Sequence, residues 1–332
     1  MSGRALKEQK DRDKIKSLLN EMPDYVKDYY YQWIDVGCAP TTALDYLRKI
    51  RGYLKWMSPD LYSINISDTL NYPVRYIAAK RDEGSGKSIS YLQTLHAALK
   101  SFYDYLAENK LVEYCPLNNR NRPQGQDIVE RPAISKKSVK QILQSVDSGT
   151  GSHRQKAFEA KWKPRDKLII SILISTGMRR QALCNLDISD IRIREGKISI
   201  EGKDKRGKIF YWDATGLKDQ LYTWLRLRKE ILNGRKEDAL FISSHKARIS
   251  SDAVANIVRK YTGCLTGKGE GGYGPHTLRS GFISIAYDET KDIDLVAKAV
   301  HHSSINTTRR YIRRDNNPQE ITSKILANCI EG

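Results

Sequence analysis

The chain has 332 residues, enough for about two domains of ordinary size. Its 57 lysines and arginines outnumber 39 aspartates and glutamates, so the formal net charge is +18. A mean hydropathy of −0.59, and the lack of an apolar run of roughly 20 residues, exclude an integral membrane protein. The positive charge favours a polyanionic partner, either a nucleic acid or an anionic membrane surface.

The cysteines and the first residues indicate where the protein works. The five cysteines are far apart and form no CxxC pair, so neither a disulfide framework nor a zinc finger is expected. The first segment, MSGRALKEQKDRDKIK, is charged and lacks the apolar core of a signal peptide. We therefore expect a cytoplasmic protein with reduced thiols, no metal and no cofactor.

Two amphipathic helices dominate the first third. The apolar positions between Thr41 and Met57 recur every three or four residues, and a second, cleaner pattern follows Ser88, which can serve as its N-cap. The opposite helix surfaces carry the candidate DNA-binding residues Arg48, Lys49, Arg51, Lys55 and Lys100. For each of them, an ordinary solvated helix face is the alternative interpretation.

A polar segment, LNNRNRPQGQDIVER, separates the two halves of the chain. It spans residues 117–131, follows Cys115-Pro116 and has no periodicity, which predicts an interdomain linker. The predicted organisation is a helical domain at 1–116, this linker, and a second domain at 132–332. A basic linker suits a clamp around a polyanion and an ordinary tether equally well.

The second domain is predicted to be mostly helical with one small sheet. Two strand-like segments, KISIE at 197–201 and KIFYW at 208–212, flank a turn and predict a β-hairpin. The predicted helices run from Ser135 through Leu143, across 166–175 to a stop at Thr176-Gly177, and across 217–232 and 251–261. The terminal stretch is also predicted to be helical, with Val296 and Val300 on one face and Ile321, Ile325 and Leu326 on another. The expected fold class is mainly α with a small β-sheet (α+β).

Four short segments of the second domain carry the chemistry. They are TGMRRQAL with Arg179, GKDKRG with Lys203, PHTLRSGF with His276 and Arg279, and HHSSINTTRRYI with His302 and Tyr311. Their order resembles the TGLR, GKG, HxLR and LGHSSxxTTxxY blocks of the tyrosine recombinases, which include phage integrases, Xer-type recombinases and transposon integrases. The first domain resembles that family's helical core-binding (SAM-like) domain only in its helix pattern and its TxxxY-like Thr42–Tyr46.

The residue types suit chemistry on a phosphodiester. Displacement at phosphorus builds negative charge on the non-bridging oxygens, and two guanidiniums can bind those oxygens without risk of deprotonation. Arg179 and Arg279 would take this role. Tyr311 would be the nucleophile, since nearby cations favour its phenolate form.

The resemblance implies the remaining roles. Tyr311 would form a 3′-phosphotyrosyl link and leave a free 5′-hydroxyl, and Lys203 would be the general acid, with Lys205 and Lys208 as competing candidates. His276 and His302 would supply further proton transfer and hydrogen bonds to the phosphate. Further arginines surround the tyrosine in sequence: Arg309, Arg310, Arg313 and Arg314.

The sequence departs from the family pattern at a few positions. Ala182 replaces a common acidic residue, so Arg179 needs another orienting partner, and Arg180 adds a second charge beside it. Ser280 follows the second arginine where histidine is frequent. His301 occupies the position of the family's glycine.

The expected function is site-specific DNA recombination, without ATP or a metal, by the integrase of a mobile element. The resemblance implies double-stranded DNA with inverted-repeat sites and a homotetramer on two duplexes, and it is compatible with an accessory excision factor. The tail Pro318–Gly332 would dock on a neighbouring protomer or pack on its own domain. Alternatives are a type IB topoisomerase-like enzyme, a chromosome-dimer-resolving Xer-type recombinase, and a non-catalytic DNA-binding descendant.

Overall fold

The structure is a computed structural model that describes residues 3–83, 87–125, 134–150, 153–194, 197–203, 209–267, 271–302, 304–309 and 311. The chain divides into two compact units, Met1–Glu130 and Arg131–Gly332. Helices dominate both units, and the described strands lie in the second, which confirms the predicted fold class. None of the described helices combines the length and apolar composition needed to cross a membrane.

The first unit is a helical bundle. Its helices are α1 (Gly3–Leu19), α2 (Asp24–Tyr29), a π-helical turn (Tyr30–Ile34), α3 (Asp35–Gly37), α4 (Pro40–Met57), α5 (Tyr72–Asp82) and α6 (Ile89–Glu108), with 3-10 turns at Leu61–Ser63 and Ile66–Thr69. Helix α4 packs against α1 and α6, and the core of the unit lies among these helices. Large aromatic side chains, including Tyr29, Tyr53 and Phe102, fill that core.

The two amphipathic helices form where the periodicity predicts them. The hydroxyl of Ser88 accepts a hydrogen bond from the N–H of Tyr91 at 3.1 Å, which confirms the N-cap of α6. Pro40 begins α4, and its missing N–H costs no hydrogen bond because the first N–H groups of a helix have no partner within the helix. The apolar stripe of α6 is buried throughout: Leu92, Leu95, Leu99, Phe102 and Leu106.

The described part of the expected linker packs on α6. Gln93 donates hydrogen bonds to two carbonyl oxygens of this segment, at 3.1 and 3.2 Å. Nε2 of His96 lies 3.0 Å from Oδ1 of Asn121. These polar contacts hold residues 117–125 on the first unit, although the segment has no apolar periodicity. Residues 126–131 lie outside the described residues.

A long central helix organises the second unit. The helices are α7 (Lys136–Ser148), α8 (His153–Thr176), α9 (Arg180–Asn185), α10 (Lys218–Leu232), α11 (Ser251–Thr262), α12 (Pro275–Thr290), α13 (Ile293–Ala299) and α14 (Ile305–Arg309), with 3-10 turns at Ile188–Asp190, Thr215–Leu217 and Gly263–Leu265. Helix α8 packs against α7, α10 and α12. Its segment of residues 168–173 is buried throughout, and Ile169, Ile170 and Leu173 are at most 1% exposed.

The predicted hairpin is confirmed, and a further strand joins it. The strands β1 (Ile191–Arg194), β2 (Lys197–Lys203) and β3 (Ile209–Asp213) form an antiparallel sheet in the order β1-β2-β3. β1 was not expected from the sequence because it lies at the sheet edge: Ile191 is half-buried and the next three residues are exposed. The turn at 204–208 lies outside the described residues.

Helices α12 and α13 form a small apolar cluster beside the main core. Ile283, Val296 and Val300 are buried together, and Tyr311 packs against them, which confirms the predicted apolar face of α13. A Cβ added to Gly281 would lie 2.5 Å from Cβ of Ile134, so glycine allows α12 to approach the segment before α7. The predicted helical tail with Ile321, Ile325 and Leu326 lies outside the described residues.

Candidate active site

A buried arginine on α12 binds the ends of two other helices. Arg279 is 3% exposed. Its guanidinium donates hydrogen bonds to the carbonyl oxygens of Gly177, after α8, and Val300, after α13, the latter at 2.8 Å. Burial, and then the charge of Arg179, lower the pKa of Arg279 to about 10, so the group stays charged at neutral pH.

The turn after α8 places the second arginine close to the first. Gly177 has φ 59, a left-handed conformation that favours glycine, and a Cβ there would lie 2.6 Å from Cδ1 of Phe282. Arg179 precedes α9, and its side chain is exposed. Ala182 stands where the family pattern has an acid, and no described carboxylate forms an ion pair with Arg179. This arginine therefore presents an unneutralised charge beside Arg279.

Tyr311 lies against α12. Its hydroxyl is 3.2 Å from Nε2 of His276, within hydrogen-bond distance, and the two rings meet edge to face with centroids 5.9 Å apart. Its N–H donates to the carbonyl of Thr308 at 2.9 Å, and its carbonyl accepts from the hydroxyl of Ser284 at 3.0 Å. The tyrosine is thus anchored through its backbone to the helix that carries His276 and Arg279.

His302 is the second histidine that contacts the tyrosine ring. The two rings are stacked, 5.9 Å apart and 19° from parallel. Nδ1 of His302 lies 2.8 Å from Oγ1 of Thr308. Burial, and then the charges of Arg279 and Arg179, lower the pKa of His302 to about 4. His302 is therefore neutral at physiological pH, so it can take part in hydrogen bonds but does not add a positive charge to the site.

The turn that ends α13 sets the backbone of His302. His301 has φ 54, its N–H donates to the carbonyl of Lys298 at 3.1 Å, and the N–H of His302 donates to that of Ala297 at 2.9 Å. These two bonds form a Schellman motif with His301 in the left-handed position, where glycine is common. The conformation fits the glycine that the family pattern has there.

The predicted general acid sits at the end of a strand. The backbone of Lys203 ends β2 and pairs with Ile209 of β3. The side chain of Lys203 lies outside the described residues, as do Lys205 and Lys208. The choice among the three lysines therefore stays a prediction.

One indole links the hairpin to the turn of His302. A Cβ added to Gly202 would lie 2.6 Å from Cζ3 of Trp212, so the ring covers the backbone immediately before Lys203. The same indole meets the ring of His301 edge on, with centroids 4.9 Å apart. Trp212 thus contacts the residues that directly precede Lys203 and His302.

The basic residues predicted to contact DNA differ in accessibility. Arg48 and Lys55 are exposed on α4. Lys100 on α6 is half-buried, and its ammonium donates to both carboxylate oxygens of Asp104, at 2.8 and 2.6 Å. Arg48 and Lys55 therefore present the more available charges.

The expectation that Lys49 lies on the solvent-facing surface is wrong. Lys49 is 8% exposed, its ammonium pairs with Asp45 one helical turn earlier, and it lies 5.7 Å from the ring centroid of Tyr91. Helix α4 turns this side chain toward α6, which the helical pattern alone did not reveal. Arg51, named beside it in the sequence analysis, pairs with Glu21.

Sequence reasoning missed several residues that shape the site. Thr308 belongs to the TTRRY segment, so the motif contained it, but its hydroxyl contact depends on the fold. Ser284 lies about two helical turns beyond His276 on the same helix, and only that spacing could have indicated it. Of the arginines around Tyr311, the described Arg309 is exposed, whereas Arg310, Arg313 and Arg314 lie outside the described residues.

The arrangement brings positive charge, hydrogen-bond donors and a phenolic hydroxyl together. Arg179 and Arg279 can bind a phosphate, and the ring of Tyr311 contacts two imidazoles, those of His276 and His302. Within the described ranges, no three or more histidine, cysteine, aspartate or glutamate side chains cluster in a way that could hold a metal ion.

Comparison with known sequences gives a consistent result. The model of the family described as Phage integrase family matches residues 133–317, which is more than half of the chain. Tyrosine recombinase XerS of Streptococcus equi subsp. zooepidemicus is 26% identical, over 92% of this chain and 96% of that protein. Tyrosine recombinase XerC of Pseudomonas syringae pv. tomato is 25% identical, over 71% of this chain and 73% of that protein.

Solved structures share the fold. The XerH site-specific recombinase bound to palindromic difH substrate matches with a TM-score of 0.64 at 22% identity, covering 87% of this chain and 80% of that one. A lambda integrase (75–356) dimer bound to a COC′ core site matches with a TM-score of 0.64 at 16% identity, covering 89% and 96%.

Proposed function

The chain belongs to the phage integrase family and is a tyrosine recombinase, and we propose how its residues cleave and rejoin DNA. The observation that carries the proposal is the convergence of the Tyr311 hydroxyl, His276 and the buried Arg279 at one site. Each of these groups comes from, or is anchored to, α12, so their mutual geometry is set by one helix.

Arg179 and Arg279 bind the scissile phosphate. Their charges face the non-bridging oxygens, where negative charge grows as phosphorus becomes five-coordinate. His302 is neutral, so it donates a hydrogen bond to the same phosphate rather than a proton. Burial of Arg279 strengthens its interaction with the phosphate, because water competes less for this guanidinium than for the exposed Arg179.

Tyr311 is the nucleophile. Its Oη attacks phosphorus, the bond between phosphorus and the 5′-oxygen breaks, and the phenolic proton passes to Nε2 of His276, 3.2 Å away. Lys203 gives a proton to the departing 5′-oxygen. The products are a 3′-phosphotyrosyl link and a free 5′-hydroxyl, and rejoining runs the same steps in reverse with a 5′-hydroxyl from the partner strand.

The phosphotyrosyl link retains the energy of the broken phosphodiester, since one oxygen ester of phosphorus replaces another. Rejoining therefore needs no ATP, and the cations at the phosphate are supplied by Arg179, Arg279 and Lys203.

Double-stranded DNA is the substrate, and exchange between two duplexes requires several protomers. The net charge of +18, together with the exposed Arg48 and Lys55 of the first unit, supports binding along a phosphate backbone. A lambda integrase tetramer bound to a Holliday junction matches this chain with a TM-score of 0.62. We propose a tetramer on two duplexes with inverted-repeat sites, acting inside the cell.

The biological task has two candidates. The integrase of a mobile element is the first, and a solved transposon integrase in complex with circular intermediate DNA has a similar fold, with a TM-score of 0.61. Chromosome-dimer resolution is the second. It is favoured by the match to XerS, which covers nearly the whole of both proteins.

Covalent capture of DNA tests the function and works whatever the sequence of the target site. The protein is expressed in cells and rapidly denatured, and the DNA covalently attached to it is sequenced. Tyr311→Phe removes the nucleophilic oxygen. Tyr222→Phe, the same chemical change at an exposed position on α10, is the matched control.

We expect adducts at a few loci with the wild type and Tyr222→Phe, and none with Tyr311→Phe. Loci at the ends of a mobile element support the integrase, and a single chromosomal locus supports dimer resolution. Adducts spread evenly over the genome would favour the topoisomerase-like alternative. Absence of adducts, with the protein still bound to specific DNA, would favour a non-catalytic binding protein.

A further inference from the structure

Thr308 lies on α14, between His302 and Tyr311 in sequence. The residue is 0% exposed, and its Oγ1 lies 2.8 Å from Nδ1 of His302. Its carbonyl accepts the N–H of Tyr311 at 2.9 Å. One buried residue therefore contacts a phosphate-binding histidine through its side chain and the nucleophile through its backbone.

A neutral imidazole has one N–H and one bare nitrogen, so the partner of Nδ1 decides which nitrogen carries the proton. If Nδ1 carried it, His302 would donate to Oγ1, and the hydroxyl hydrogen of Thr308 would need a second acceptor. Among the described residues, the bond to Nδ1 is the only hydrogen bond of that hydroxyl. A buried hydroxyl hydrogen without an acceptor is costly.

The arrangement that satisfies both groups has the hydroxyl donating to a bare Nδ1. We propose that Thr308 is a positioning residue whose hydroxyl fixes His302 as the Nε2–H tautomer, with Nε2 as the hydrogen-bond donor to the scissile phosphate. This inference rests on the proposed function for the role of His302, whereas the tautomer itself rests on the described hydrogen bond.

The surroundings of His302 support a neutral ring. Arg279 and His276 face it from α12, Arg179 from the segment before α9, and Tyr311 stacks on it from the residues after α14. Positive charges from two directions, together with burial, disfavour the imidazolium. A donor at Nδ1 acts in the same sense, because it can bind only the unprotonated nitrogen.

The tautomer is measured directly by NMR on the full-length protein labelled with ¹⁵N-histidine. Long-range proton–nitrogen correlations distinguish protonated from bare ring nitrogens, and a His302→Gln variant assigns the ring among the six histidines. Thr308→Val keeps the β-branched shape and removes the donor. Thr308→Ser keeps the donor and serves as the conservative control.

We expect a bare Nδ1 and a protonated Nε2 for His302 in the wild type and in Thr308→Ser. In Thr308→Val, we expect the Nδ1–H tautomer to become populated and the pKa of His302 to rise, since the neutral ring loses a stabilising donor. A proton on Nδ1 in the wild type would overturn the proposal even if the valine variant failed to fold. An unchanged tautomer in a folded Thr308→Val protein would overturn it as well.

Cleavage of captured DNA sites provides the functional test. We expect Thr308→Val to form adducts about tenfold more slowly, the factor that corresponds to one ordinary hydrogen bond, and Thr308→Ser to stay close to the wild type. Equal rates for valine and wild type would show that the tautomer does not serve the reaction. Persistence of adducts in Tyr311→Phe would instead remove the proposed function and leave the NMR result intact.

Discussion

Replacing Arg279 with lysine separates the role of the guanidinium in folding from its positive charge. The arginine donates to the carbonyl oxygens of Gly177 and Val300 from a position that is 3% exposed. A hydrogen bond from a charged donor contributes about 1.5–3 kcal/mol, and a buried carbonyl left without a donor costs about 1–3 kcal/mol. Lysine retains at most one of the two bonds. We therefore expect the free energy of unfolding of the second unit to fall by about 3 kcal/mol.

Arg179→Lys is the matched control, because Arg179 is exposed and such a change alters stability by at most about 0.5 kcal/mol. The stability of the second unit is measured by hydrogen–deuterium exchange of the α12 amides at increasing urea concentrations, and the amides of α6 in the first unit serve as an internal reference. Both variants should cleave DNA poorly, since lysine cannot bind phosphate bidentately. Equal protection of α12 in the two variants would refute the reasoning that Arg279 holds the ends of α8 and α13.

Three further predictions follow from the same geometry. Gly177→Ala should lower the free energy of unfolding of the second unit by about 2 kcal/mol, because Gly177 has φ 59 and lies against Phe282. Gly216→Ala should not, because the added Cβ would lie in open space. Equal melting temperatures for the two variants would contradict this prediction. The folded-state pKa of His302 is depressed to about 4 from 6.5, so between these values the unfolded chain binds the proton first, and acidification destabilises the fold. In His302→Gln, the free energy of unfolding, measured with urea, should depend less on pH between 4 and 6.5. The same pH dependence in the variant and the wild type would contradict the prediction. Lys55→Met should lower the magnitude of the slope of log K for DNA binding against log salt concentration by about 0.9. Lys49→Met should change this slope less, because it removes a charge already paired with Asp45. Equal slopes for the two variants in a binding titration would refute the distinction.

Local signals in the sequence predicted the elements that they determine. The apolar stripe behind Ser88 predicted both the start and the buried face of α6. The alternation in KISIE and KIFYW predicted the β2–β3 hairpin. Three of the four motif segments led to residues that meet at α12, whereas the side chain of Lys203 lies outside the described residues, and the catalytic role of each residue remains a prediction.

What the sequence could not predict depends on tertiary contacts. The edge strand β1 carries little apolar signal because most of its side chains face solvent. The burial of Lys49 depends on how α4 faces α6, and the hydroxyl contacts of Ser284 and Thr308 exist only once α12 and α14 are packed. The attachment of residues 117–125 to α6 likewise uses polar groups, which in sequence are typical of a free tether.

The contact of Trp212 with both Gly202 and His301 has a mechanical consequence. The backbone that leads into Lys203 and the turn that leads into His302 both pack against the Trp212 indole, so a displacement of either changes the packing of a ring that the other also contacts. In the proposed reaction, proton delivery by Lys203 and hydrogen bonding by His302 would therefore depend on one shared contact. We expect a displacement of the hairpin to disturb both groups at once.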